Sequence, residues 1–84
     1  MNNIIKYPLA TEKSIRLMES QNKLIFVVDR SATKPQIKEA IEELFSAKVD
    51  QVRTLHTPDN KKRAYVTFNE ETPAIDIATK LGLM

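Results

Sequence analysis

The sequence predicts an α+β domain, with the element order βαβαββα and an open antiparallel sheet that carries its helices mainly on one face. Three observations predict it. Short stretches of period-two alternation or continuous apolar residues take turns with stretches of helical periodicity. Helix-starting and turn residues fall at the joints between them: Pro8, Thr11, Thr33, Pro58 and Pro73. The chain has 84 residues, enough for one modest core, and no repeat, linker or low-complexity tract divides it, so residues 1–84 read as a single domain.

Taken in order, Ile4-Ile5-Lys6-Tyr7 is a short β-prone start that Pro8 ends. Thr11 is the N-cap of a helix running to about Ser20, with Leu9, Ile15 and Met18 as its apolar stripe. Lys23 to Asp29 follows; within it Leu24-Ile25-Phe26-Val27-Val28 is apolar without a break, the mark of a central strand covered on both faces. Thr33-Lys34-Pro35-Gln36 supplies an N-cap, a proline in the first turn and a capping-box Gln for the clearest helix. Ile37, Ala40, Ile41, Leu44 and Phe45 then line one side, and Glu39, Glu42 and Glu43 form a solvated face opposite.

Two further strands are expected, Asp50 to Thr57 and Lys62 to Phe68, joined through the turn residues Thr57-Pro58-Asp59-Asn60 as a β-hairpin. In the second strand Ala64, Val66 and Phe68 share the core face, while Arg63, Tyr65 and Thr67 share the other. Thr72-Pro73 opens a last helix with Ala74, Ile77, Ala78 and Leu81 as its stripe and Gly82 just past its end.

Composition excludes several functions. There is no cysteine, hence no disulfide framework, thiolate metal site or cysteine nucleophile. A single glycine rules out a glycine-rich phosphate loop. No apolar stretch approaches a membrane span and no signal peptide opens the chain, so direct membrane insertion is not expected and the expected compartment is the cytoplasm. His56 is the only histidine and has no motif around it that would supply a nucleophile or an orienting partner. Adjacent acids such as Glu42-Glu43 and Glu70-Glu71 diverge in direction and form no carboxylate dyad. An enzyme, a metal site and a cofactor are therefore not expected.

Net charge is only +2, but the charge is segregated. The acids Glu39, Glu42 and Glu43 gather on one helix, and Lys61, Lys62 and Arg63 gather at the hairpin. Three adjacent cations leading into a strand point to a polyanion, with RNA the first candidate: the cations neutralise phosphates, and Tyr65 and His56 stack on bases or hydrogen-bond to sugar. On the residues alone, two other readings stay open. Strand-edge lysines also prevent edge-to-edge aggregation, and the basic hairpin of an α+β interaction or regulatory domain could bind another protein.

The residues also match a family. Lys62-Arg63-Ala64-Tyr65-Val66-Thr67, with Ile77 beyond, resembles the signature of the universal large-subunit ribosomal protein family number twenty-three, with Phe68 where the family usually has Leu. Tyr7-Pro8-Leu9-Ala10-Thr11-Glu12-Lys13, the helix from Ala32 to Ala40 with Leu44-Phe45 at its end, and Val52-Arg53-Thr54-Leu55 are similar to further family segments in the same order. The short hairpin connection and the lack of a basic N-terminal extension resemble the compact archaeal form.

The resemblance implies a structural constituent of the large ribosomal subunit that binds its rRNA near the polypeptide exit tunnel, beside neighbouring ribosomal proteins. It implies an rRNA-binding set of Lys6, Tyr7, Thr11, Lys13, Lys34, Lys38, Arg53, Thr54, His56, Lys61, Lys62, Arg63 and Tyr65. It also implies a share in docking nascent-chain factors, the signal recognition particle and the protein-conducting channel among them. The family position at which a bacterial chaperone docks falls on Glu12. A first-turn acid also favours the helix dipole, and the two roles are compatible.

Overall fold

A computed structural model describes residues 4–82. The elements come in the expected order: β1 (Ile5–Pro8), α1 (Glu12–Gln21), β2 (Lys23–Val28), α2 (Lys34–Phe45), β3 (Val49–His56), β4 (Lys62–Phe68) and α3 (Ala74–Lys80). The four strands form one sheet in the order β1-β2-β4-β3, antiparallel at every step. β2 and β3 both run against β4, so they are parallel to each other with β4 inserted between them. This is a split βαβ unit, with α2 as its crossover.

The helix starts follow from their side chains. Thr11 and Ser14 form a reciprocal capping box on α1: Ser14 N–H donates to Thr11 Oγ1 at 3.2 Å and Thr11 N–H donates to Ser14 Oγ at 2.8 Å. Thr33 and Gln36 do the same on α2, at 3.4 and 2.9 Å. Pro8 lies in β1, an edge strand, where the lost N–H costs no ladder bond. Lys6 is the extra residue of a bulge in β1, since Ile5 opposes Val28 and Tyr7 opposes Val27.

Pairing fixes the two faces of the sheet. Leu24 opposes Val66 and Phe26 opposes Ala64, and these pairs join Met18 of α1, Ile37 and Ile41 of α2, and Ile77 and Ala78 of α3 in one core cluster. All three helices therefore cover the same face. Phe26 and Phe45 stack there with ring centroids 6.1 Å apart.

Two details of α2 differ from the sequence reading. Leu44, expected in the apolar stripe, is 52% exposed, because in the last turn of the helix it is Phe45 that packs on the core, against Phe26, and Leu44 is left to solvent. Glu42, expected on a solvated face, is half-buried, and its Oε2 accepts a hydrogen bond from the Val49 N–H at 3.3 Å.

Asn22 holds three elements together. It ends α1 in the left-handed region at φ 55, a place where asparagine is tolerated. Its Nδ2 lies 3.0 to 3.2 Å from the carbonyl oxygens of Phe68, Asn69 and Thr72, and its Oδ1 accepts from Ala74 N–H at 2.6 Å. Pro73, at the N-cap of α3, makes no side-chain cap of its own, so Asn22 supplies the cap from another part of the chain. Asn22→Gly keeps the backbone angle and removes these bonds. It is expected to destabilise by about 1–3 kcal/mol in urea melts, the cost of leaving buried polar groups unpaired. A loss below about 0.5 kcal/mol would mean that water replaces the amide.

Candidate nucleic-acid interface

The face of the sheet that the helices leave bare is assembled from all four strands. Tyr7, Val27, Arg63 and Leu55 stand in one row across it. Ile25, Tyr65 and Arg53 form the next, and Lys23, Thr67 and Gln51 a third. Val27 and Ile25 are nearly fully buried, yet both stand outside the helix-side core cluster; in the pairing they are flanked by the larger Tyr7, Arg63 and Tyr65. Leu55 and Tyr7 are 51% and 42% exposed. None of the paired positions on this face is acidic. The guanidinium groups of Arg53 and Arg63 and the ammonium of Lys23 make no hydrogen bond or ion pair among the described residues. Their donors are open to an incoming anion.

The three cations of the hairpin diverge. Arg63 lies on the open face. Lys62, opposite Val28 and His56, points to the helix side, where its Nζ donates to the Ala32 carbonyl at 2.6 Å and ties the hairpin to the start of α2. Lys61 reaches β1: its Nζ donates to the Tyr7 hydroxyl at 3.1 Å and stands 5.8 Å from the centre of that ring. The Tyr7 hydroxyl, followed by nearby Asp59, holds the Lys61 ammonium above its usual pKa. The turn itself is closed by Asn60 N–H to Thr57 carbonyl at 3.0 Å, with Asn60 at φ 66. The Thr57 hydroxyl donates to the Asp59 carboxylate, which lowers the Asp59 pKa, and Lys61 and Arg63 lower it further.

The other sequence-predicted residues do not gather on the open face. Lys6 sits at the β1 bulge, 3.9 Å from the Asp29 carboxylate, which neutralises part of its charge. Asp29 is itself held below its usual pKa, first by the Ser31 hydroxyl and backbone N–H and less by Lys6. Together Lys6, Tyr7, Arg30, Asn60 and Lys61 border a shallow hollow at this corner. Thr54 and His56 share the helix side with Lys62, and Lys34 and Lys38 lie exposed on α2. Thr11 is occupied as the cap of α1, with Glu12 and Lys13 exposed beside it. Of the expected set, the strand pairing brings only Tyr7, Arg53, Arg63 and Tyr65 together. It adds Lys23 and Leu55, which sequence reasoning missed; the alternation of β2 places Lys23 in phase with Ile25 and Val27, a signal that was there to be used. Among the described residues no cluster of His, Cys, Asp and Glu could hold a metal ion.

The fold and this face define a small α+β domain with a layer of helices on one side and a cationic, aromatic sheet surface on the other. The chain belongs to the ribosomal protein L23 family, whose model matches residues 3–77. It is 47% identical over 81 residues to the large ribosomal subunit protein uL23 of Pyrobaculum aerophilum, covering 96% of this chain and 100% of that one. It is 42% and 44% identical to the proteins of the same description from Methanococcus aeolicus and Methanococcus vannielii, over 96% of this chain and 94% of each of those. The chain is accordingly a structural protein of translation and not an enzyme, and its place is the large ribosomal subunit in the cytoplasm.

Proposed function

We propose that the chain binds large-subunit rRNA near the polypeptide exit tunnel through the open face of its sheet, and that the start of α1 contributes to docking of nascent-chain factors such as the signal recognition particle and the protein-conducting channel. The observation that carries the first part is the bare sheet face, which lacks acids at its paired positions and offers two unpaired guanidinium groups next to Tyr65. Fixed cations on a folded sheet meet phosphates without a further ordering cost. The acids of α2 face the other way, where phosphate would be repelled. Neighbouring ribosomal proteins of the large subunit are the further expected partners. The test is co-sedimentation of the purified chain with large-subunit rRNA over a salt series: retention that falls with salt supports the reading, and absence of binding at low salt overturns it.

The docking part rests on Glu12. Its carboxylate is exposed at the first position of α1, on the helix side of the molecule and away from the open face. A carboxylate there can pair with an Arg of an approaching factor while the sheet holds RNA. Glu12→Lys is expected to impair recruitment of the signal recognition particle to assembled ribosomes and leave rRNA binding intact. Lys13→Glu is expected to spare recruitment. Wild-type recruitment by Glu12→Lys ribosomes at physiological salt would reduce Glu12 to an acid that favours the helix dipole.

A further inference from the structure

We infer that the open face takes unpaired RNA, with a base stacked on the ring of Tyr65 between the guanidinium groups of Arg53 and Arg63. The inference rests on the reading that this face binds rRNA, and specifies the form of RNA it accepts.

The two tyrosines of the face are in different states. Tyr7 is engaged by Lys61 through its hydroxyl and its ring. Tyr65 makes no hydrogen bond through its hydroxyl and no aromatic or cation contact among the described residues. It stands mid-sheet, with Ile25 beside it on β2, Arg53 beside it on β3, and Arg63 two residues away on its own strand. Neighbouring strands are about 5 Å apart, so these side chains lie within reach of one bound nucleotide.

Tyr65 stands on buried apolar residues and among Arg53, Arg63 and Thr67. Ile25 is 2% and Val27 5% exposed, and Leu55, the neighbour of Arg63, is an aliphatic side chain open to solvent. An RNA duplex offers such a surface only phosphates, sugars and a shallow groove, and would leave the Tyr65 ring and Leu55 unmatched. A base turned out of a helix offers a flat π face to the half-exposed ring of Tyr65. Stacking on an aromatic ring contributes independently of sequence, and planar guanidinium groups on either side can stack on the adjoining bases or bond their phosphates. His56 and Lys62, the other aromatic and cationic residues of the hairpin, are on the opposite side of the sheet and cannot take part.

The experiment titrates the full chain with protein-free large-subunit rRNA at several salt concentrations. Tyr65→Phe keeps the ring and is expected to bind within about twofold of wild type, while Tyr65→Leu is expected to bind about 5- to 100-fold more weakly with the salt slope unchanged. A second readout does not depend on the Leu variant folding. The chain has two tyrosines and no tryptophan, so Tyr7→Phe leaves Tyr65 as the sole fluorophore of its kind, and rRNA is expected to quench it. Tyr65→Leu binding as tightly as wild type, or rRNA binding without quenching in Tyr7→Phe, overturns the stacking and leaves the rRNA reading standing. No binding by the wild-type chain defeats the rRNA reading, and the stacking with it.

Discussion

Ile41→Ala is expected to lower the free energy of unfolding by roughly 2–5 kcal/mol, whereas Leu44→Ala, one turn further on, should change it by no more than about 0.5 kcal/mol. Ile41 is fully buried beneath α2 in the core cluster, where the lost methyl and methylene groups leave a cavity between helix and sheet. Leu44 belongs to the same sequence stripe but is 52% exposed. Glu39→Ala is the matching polar control, since Glu39 is exposed; Glu42 is not, because its carboxylate accepts the Val49 N–H. Denaturant melts that show equal losses for Ile41→Ala and Leu44→Ala would show that Leu44 is packed and that the core extends over the whole stripe of α2.

The second large effect concerns RNA. The double variant Arg53→Gln/Arg63→Gln is expected to reduce the salt slope of rRNA binding by about 1.4–1.8, since each phosphate contact contributes about 0.7 on single strands and 0.9 on duplex. At physiological salt that corresponds to an affinity loss of about tenfold or more. Lys62→Gln should reduce the slope by less than either arginine change, because the Lys62 ammonium is already bonded to the Ala32 carbonyl. Measured slopes that rank Lys62 above Arg53 and Arg63 would move the RNA from the open face to the hairpin end.

How much of this was legible in the sequence depends on the range of the interaction that decides it. Both capped starts at Thr11 and Thr33, the α2 core positions Ile37, Ala40 and Ile41, and the two faces of β4 are local patterns, and the structure bears them out. Leu44 is a case where helical period and burial part company: in the last turn of α2 the core takes Phe45 and leaves Leu44 to solvent. The candidate site was legible only in part, because it depends on strand order. The predicted hairpin already sets Arg53 beside Tyr65 and Leu55 beside Arg63, but nothing local says that β4 inserts between β2 and β3, and that insertion is what puts Ile25 beside Tyr65 and Val27 beside Arg63. For the same reason Lys61, Lys62 and Arg63, equal neighbours in sequence, end with different partners. Asn22 was missed because all its acceptors and its donor lie at 46 to 52 residues' separation, beyond any window a sequence pattern covers.

The Asn22 arrangement bears on the order in which the molecule forms. A helix as short as α3, spanning Ala74–Lys80, does not nucleate in water on its own, and its leading residue, Pro73, supplies no side-chain cap. The first N–H of the helix is satisfied by a side chain made 52 residues earlier, which is in position only once α1 has ended and β4 has docked beside β2. During synthesis, the sheet and the first two helices can assemble while the last segment is still emerging. Its arrival then closes the core against α1 and β2 in a late step. Until that step the partly made domain exposes the apolar ground on which α3 will sit, so the last dozen or so residues govern how long the nascent chain remains open to aggregation.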